Sequence, residues 1–235
     1  MFSGLVVNSS RYYLDAFVRE SARSISTDAL VLDAGAGSCP YRKYFQNARY
    51  ESADFGQVDK PYGDITFRCD LGSIPVEDNR YDMVFLTQVL EHLPEPGRVL
   101  REMYRVLKPG SALWLSAPLY YEEHETPYDF YRYTQFGFRY QLEQAGFKVE
   151  RIDWLEGYLG TLSYQCLIAG RALPLEAAAY GGGVVGALAV ILALPTKPLF
   201  RLMSVIFGLI DKRHRFVSAK GHCKNYAIVA IKPAG

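Results

Sequence analysis

The chain has 235 residues, enough for one α/β domain with an insertion or at most two small domains. Hydrophobic residues make up 49% and charged residues 22%, a balance that excludes extensive disorder. Its 26 basic and 25 acidic side chains leave a net charge of +1, so no overall field draws nucleic acid and none is expected as a partner. Cys39, Cys69, Cys166 and Cys223 are widely spaced, without a CxxC pair or a zinc-like Cys/His ladder, which fits reduced thiols and a cytoplasmic location. Met1 to Asn8 lacks the basic start and long apolar core of a signal peptide.

In chain order, Asn8, Ser9 or Ser10 can cap an opening helix with Tyr13, Leu14 and Phe17 at helical spacing. Short apolar runs then alternate with helical segments. Strands are expected at Ala29 to Asp33, Tyr50 to Asp54, Ile65 to Cys69, Tyr81 to Leu86 and Ala112 to Ala117. Pro96 opens a helix carrying Val99, Leu100, Met103, Val106 and Leu107 on one face, stopped by Lys108-Pro109-Gly110. Another helix, Thr134 to Ala145, feeds a strand at Phe147 to Ile152, and a last strand lies at Tyr226 to Ile231. The alternation predicts a mostly parallel sheet covered on both faces. Residues 1–154 form the main domain, 155–223 an apolar helical insertion, and 224–235 the strand that completes the sheet.

The first ligand signal is Val31-Leu32-Asp33-Ala34-Gly35-Ala36-Gly37, a buried strand running into a turn. Its glycines let the backbone approach a ligand that a side chain would obstruct, although glycine also serves ordinary turns. Asp33 can accept hydrogen bonds or offset a positive charge. Asp54 ends the second strand about 20 residues further on, where an acid can take both hydroxyls of a ribose. Asp70 ends the third, offering an acceptor for an exocyclic amine, with Leu71 as an apolar wall for a purine. Gln88 follows the fourth strand near the same sheet edge, and acids at successive strand ends converge on one crevice.

The segments VLDAGAGSCP, YESADF, CDLGSIPVEDNRYDMVFLTQVLEHLPEP and REMYRVLKPGSALWLSAP, over roughly residues 29 to 118, resemble the class I S-adenosylmethionine-dependent methyltransferase family, in its small-molecule branch. The resemblance implies a Rossmann-like, doubly wound, seven-stranded sheet with an antiparallel last strand. It implies S-adenosyl-L-methionine as cofactor, with Gly35 and Gly37 under its amino-acid part, Asp54 on the ribose and Asp70 at the adenine; Asp33 belongs to the same motif, while Asp82 is structural. Cys39 stands where the family commonly has a third small residue. Pro40 can begin a helix, and it also replaces the last glycine of a GxGxxG dinucleotide motif, which disfavours a nicotinamide enzyme.

Acceptor chemistry is expected in the aromatic, ionisable stretch from Pro118 to Tyr133. It resembles a bacterial methyltransferase pattern in which a His-Glu pair precedes a proline and an Asp-Phe-Tyr-Arg-Tyr run. His124 is the candidate general base, with Glu123 or Glu125 orienting its ring. Tyr128, Tyr131 and Arg132 are candidate acceptor contacts, and His92 a cap or pocket wall. Asp129 and Arg132 equally suit a structural ion pair. Consecutive residues such as Glu122 to Glu125 rarely face one point, so no metal is expected.

Ala177 to Thr196 is 20 residues without a charge, followed by a second apolar stretch at Leu199 to Ile210 and a basic cluster at Lys212 to Arg215. Pro195 and Pro198 are expected to separate two helices. If the last strand joins the earlier sheet, a single membrane crossing is excluded; a hairpin lying in a bilayer surface through 177–210, or a helical cap, remains. The sequence therefore predicts a methyltransferase acting on oxygen of a small, glycan-like or lipid-linked acceptor, at the inner face of a membrane or free in the cytoplasm, with oligomers allowed. The contrary reading is a non-catalytic protein of the same fold that binds a partner or membrane through the insertion.

Overall fold

The computed structural model describes residues 9–234. These divide into two compact units. The larger holds Tyr13–Leu155 and the chain from Lys224 onward; the smaller holds Glu156–Cys223 together with the described residues up to Tyr12.

In the larger unit seven strands form one sheet in the order β3-β2-β1-β4-β5-β7-β6. They are β1 (Leu30–Ala34), β2 (Arg49–Asp54), β3 (Phe67–Arg68), β4 (Tyr81–Thr87), β5 (Leu107–Pro118), β6 (Lys148–Trp154) and β7 (Asn225–Ile231). The first five are parallel, and β7 runs antiparallel between β5 and β6. Both faces of the central strands are covered, hence their unbroken apolar runs. On one face α1 (Ser9–Arg23) contributes Tyr13, Leu14, Phe17 and Val18, and Phe17 meets Trp114 of β5 with ring centroids 5.1 Å apart. On α2 (Pro96–Val106), Val99, Leu100, Met103 and Val106 recur at helical spacing and are buried. Truncating one of them, such as Met103, to alanine is worth about 2–5 kcal/mol. Helix α3 (Gln135–Gln144) is capped by Thr134, whose hydroxyl accepts from Gly137 N.

Of the proposed caps of α1, Asn8 lies outside the described residues. Pro40 does not open an α-helix: only a short 3-10 turn, Arg42–Tyr44, follows, and Cys39 before it has a left-handed φ of +54°. Lys108-Pro109-Gly110 stops α2 by starting β5, where Gly110 N donates to Lys232 O at 2.8 Å. The Lys232 ammonium is itself buried, satisfied by Asn79 Oδ1 and the carbonyls of Tyr104 and Leu107 at 2.7–2.8 Å.

In the smaller unit α4 (Tyr158–Ala172) packs along α5 (Gly183–Arg213). Small residues set the close approach: a Cβ on Gly160 would lie 2.4 Å from Asp211 Oδ2, and Ser163 Oγ donates to Ser204 O at 2.6 Å. The expected break at Pro195 and Pro198 does not occur, and α5 runs unbroken for 31 residues. The prolines remove amide donors, while Thr196 Oγ1 turns back onto Leu192 O at 2.8 Å and Ala193 O at 3.1 Å.

Candidate functional site

The carboxyl ends of β1, β2, β4 and β5 lie on one edge of the sheet, with Ala34 paired to Ala53 and Thr87 to Ser116. The turn after β1 is held by Gly35 N donating to Ala53 O at 2.8 Å, with Gly35 at φ +76° and Gly37 at φ +51°. Asp54 binds this turn to the next: one carboxylate oxygen accepts from Gly37 N and the other from Gly56 N, each at 2.9 Å. A carboxylate has about four acceptor sites, so Asp54 keeps capacity for a ligand. Gly35 and Asp54 line a cleft of about 500 Å³. A Cβ on Gly37 would meet nothing within 4 Å, although Gly37 is not among the lining residues.

Asp33 lies behind the cleft wall rather than on it. It is 2% exposed and accepts a short hydrogen bond from Tyr50 Oη. Burial pushes its carboxyl from 3.8 up to about 7, opposed by the Tyr50 hydroxyl and reinforced by the charge of Asp54. The folded protein therefore holds a proton that the unfolded chain has already released. The stability this provides is full below about pH 4 and declines as pH rises towards 7. Thermal melts across that range should show Asp33→Asn with a flatter pH dependence than the parent chain; parallel curves would mean that Asp33 titrates normally.

Asp70 and Leu71 line the same cleft. The Asp70 carboxylate accepts from Gly72 N at 2.8 Å and from Arg98 Nη2 at 2.7 Å, and these bonds, the backbone one foremost, hold its pKa below the usual value. Leu71 is buried and supplies the apolar wall. Gln88, at φ +56°, also lines the cleft, and its backbone N–H donates to Ser116 O at 2.8 Å.

The opposite wall comes from a 3-10 turn at Leu90–His92 and from the loop after β5. Phe130 N and Tyr131 N both donate to Glu91 O, at 2.8 and 3.2 Å, and fasten the loop to the turn. His92 and Tyr128 line the cleft, and the Tyr128 carbonyl engages His92 Nδ1. Burial holds His92 below its ordinary pKa. Glu91 is wholly buried, which pushes its carboxyl up to about 8.

His124 is not among the lining residues; its ring packs edge-on against His92 with centroids 4.6 Å apart. Its neighbours are Glu122 O and Asp129, whereas Glu125, expected to orient it, pairs with Lys60 at 2.9 Å. Asp129 and Arg132 take their structural alternative: a two-pronged ion pair at 2.6 and 2.8 Å, with Arg132 also holding the carbonyls of Tyr121 and Glu122. The guanidinium holds the Asp129 carboxyl well below the usual carboxylate range. Tyr131 donates to Pro94 O at 3.2 Å outside the lining set. The polar ends of Tyr131 and Arg132, both expected as acceptor contacts, thus meet other protein groups, and neither residue lines the cleft.

The structure adds Phe55, Lys60, Val89, Arg98 and Phe130 to the cleft. Phe55 and Tyr128 meet edge-to-face with centroids 5.7 Å apart. No local pattern marks Phe55 and Lys60 in the loop after β2, because only the fold brings that loop to the one after β5.

Residues 32–115 match a family described as "Methyltransferase domain". The chain is 36% identical over 59 residues to a ubiquinone biosynthesis O-methyltransferase of Pseudomonas entomophila, covering 25% of this chain and 24% of that protein. It is 33% identical over 76 residues to a ubiquinone/menaquinone biosynthesis C-methyltransferase of Psychromonas ingrahamii, covering 31% and 30%. The match thus spans less than a third of either relative. Among solved structures the fold is similar to that of the [4+2]-cyclase SpnF, with TM-score 0.56 and 19% identity, over 96% of this chain and 81% of that one.

Proposed function

We propose that this chain, which carries a class I S-adenosylmethionine-dependent methyltransferase domain, transfers the methyl group of that cofactor to an oxygen of a small, lipid-soluble acceptor. One observation supports this most: the strand-end residues Gly35, Asp54, Asp70 and Leu71 share a single cleft with His92, Tyr128 and Phe130. Its volume of about 500 Å³ lies in the range of small-molecule sites. The residues fit the cofactor: Gly35 and Gly37 bear no side chain on the turn, Asp54 has acceptor capacity left, and Leu71 is apolar. When bound, S-adenosylmethionine supplies a methyl group already activated on a sulfonium. What the protein adds is orientation and exclusion of water. Phe55, Tyr128 and Phe130 give an aromatic wall suited to a planar acceptor, in keeping with the quinone-biosynthesis names of the relatives. Of the two histidines, His92 lines the cleft that would hold the acceptor, whereas His124 is not among its lining residues. Calorimetry with S-adenosylmethionine tests the first step, and absence of binding at millimolar cofactor would overturn the reading. A labelled methyl donor, with extract separated into lipid, glycan and small-molecule fractions, then identifies the acceptor class.

We further place the protein at the cytoplasmic face of a membrane, touching it through α5. That helix is long and apolar enough to cross a membrane, and only 11% of its apolar window is buried. Val184 is 77%, Leu188 60% and Leu192 67% exposed, a contiguous apolar surface that water disfavours. Lys212, Arg213, His214 and Arg215 follow, suited to anionic headgroups. Both flanks of the smaller unit lead into strands of one sheet, so contact in the membrane plane suits the topology better than a crossing. The protein should sediment with anionic liposomes, and salt should release only part of it. The double variant Leu188→Glu, Leu192→Glu should stay in the supernatant while retaining cofactor binding. A parent chain that is monodisperse and liposome-free without detergent defeats this part of the proposal.

A further inference from the structure

We propose that Glu91, His92 and His124 form a binding site for a first-row divalent cation in the wall of the cleft. One donor atom from each lies within 4.8 Å of the others. They come from two segments joined by the Phe130 and Tyr131 amides on Glu91 O, so their meeting is fixed by backbone hydrogen bonds. Both imidazoles have Nδ1 turned to a carbonyl: His92 to Tyr128 O, and His124 to Glu122 O at 3.1 Å, with Asp129 Oδ2 3.4 Å away. A carbonyl accepts only from an N–H, so each neutral ring carries its proton on Nδ1 and presents a bare Nε2. Metal-ligating histidines are held by outer hydrogen bonds of this kind.

Glu91 is the independent observation. It is 0% exposed, neither carboxyl oxygen has a hydrogen-bond partner among the described residues, and Oε1 lies 3.9 Å from His92 Nε2. A buried carboxylate without a partner is costly, and protonation would leave a buried O–H without an acceptor instead. A cation between Glu91 and the imidazoles removes both costs. Ligand atoms bound at about 2.1 Å from one ion stand about 3.4 Å apart in a tetrahedral site, so the Glu91–His92 pair would have to close by only about half an ångström. The His124 donor lies within 4.8 Å of the other two. Two imidazoles and one carboxylate select Zn²⁺, Mn²⁺, Fe²⁺ or Co²⁺ over Mg²⁺ and Ca²⁺, which require mostly oxygen. Since His92 also lines the cleft, an open position of the ion can take a hydroxyl of the acceptor and ease loss of its proton. That last role rests on the methyl-transfer reading; the site itself does not.

The test is titration of chelator-treated, full-length protein with Co²⁺ alone, read by visible ligand-field absorption and by calorimetry. One equivalent should bind. Glu91→Gln and His124→Ala should each weaken it at least tenfold, while His214→Ala and His222→Ala leave it unchanged. Melting curves check that the variants fold, and the nearly isosteric Glu91→Gln decides the matter if His124→Ala does not. Absence of cobalt absorption, or undiminished affinity in Glu91→Gln, overturns the site. No cofactor is present in this titration, so its failure leaves the methyl-transfer reading standing. Failure of S-adenosylmethionine binding would likewise leave the cation site standing.

Discussion

Gly35→Val is expected to lower stability by about 2–5 kcal/mol and to weaken cofactor binding more than 100-fold, from a left-handed φ and an overlap acting together. The backbone at Gly35 has φ +76°, which a β-branched residue adopts only with strain. An added Cβ would also lie 2.3 Å from Val89 Cγ2, well inside contact distance. The damage therefore differs from the obstruction expected from sequence: the new side chain drives into Val89, which lines the cleft just before the turn bearing His92. Pairing Gly35→Ala with Val89→Ala relieves the overlap but not the φ, and should recover part of the melting temperature. A Gly35→Val protein that melts and binds like its parent would remove the turn from the cofactor site.

Asp54→Ala is expected to weaken S-adenosylmethionine by about 1.5–3 kcal/mol, roughly 10- to 150-fold, the scale of hydrogen bonds to a charged group. Two losses combine, since the carboxylate faces the cleft and also accepts from Gly37 N and Gly56 N. A cofactor analogue without ribose hydroxyls separates them. If Asp54 holds the ribose, the parent chain should discriminate against the analogue and Asp54→Ala should not. Equal discrimination by both proteins would mean that Asp54 only tightens the turn. An unchanged dissociation constant in a folded variant would end the ribose assignment.

The residues of the cofactor side were legible because their signals are local. Val31 to Gly37 is a buried strand followed by a tight turn, and Asp54 and Asp70 end or follow short apolar runs, so each declares its place at a strand end. The ends of β1, β2 and β3 then need no more than the rule that open α/β sheets bind ligands at that edge. Asp33 shows the limit of this reasoning. It sits in the motif, yet Tyr50 on the neighbouring strand takes its carboxylate away from the cleft.

The acceptor side was less legible, for a physical reason. In the loop from Pro118 to Tyr133, polar groups compete for backbone carbonyls as well as for a ligand, and sequence does not say which competition each wins. Arg132 goes to Asp129 and the carbonyls of Tyr121 and Glu122, whereas Tyr128 goes to the cleft. Glu91, next to the His92 read as a cap or pocket wall, is buried, and His92 and His124, the latter 33 residues downstream, lie beside it. Prolines misled in the same way: Pro195 and Pro198 read as breaks, but α5, packed along α4, runs unbroken through them.

By itself the sequence determined the alternating α/β order, the return of the last strand to the sheet, and the acids at the strand ends, because hydrophobic period and turn chemistry act over a few residues. The tertiary structure decided which of two histidines faces the cleft, which acids are spent on backbone amides and arginines, and where Glu91 is left without a partner. Those outcomes depend on hydrogen bonds and packing between segments far apart in the chain, and no local pattern encodes them.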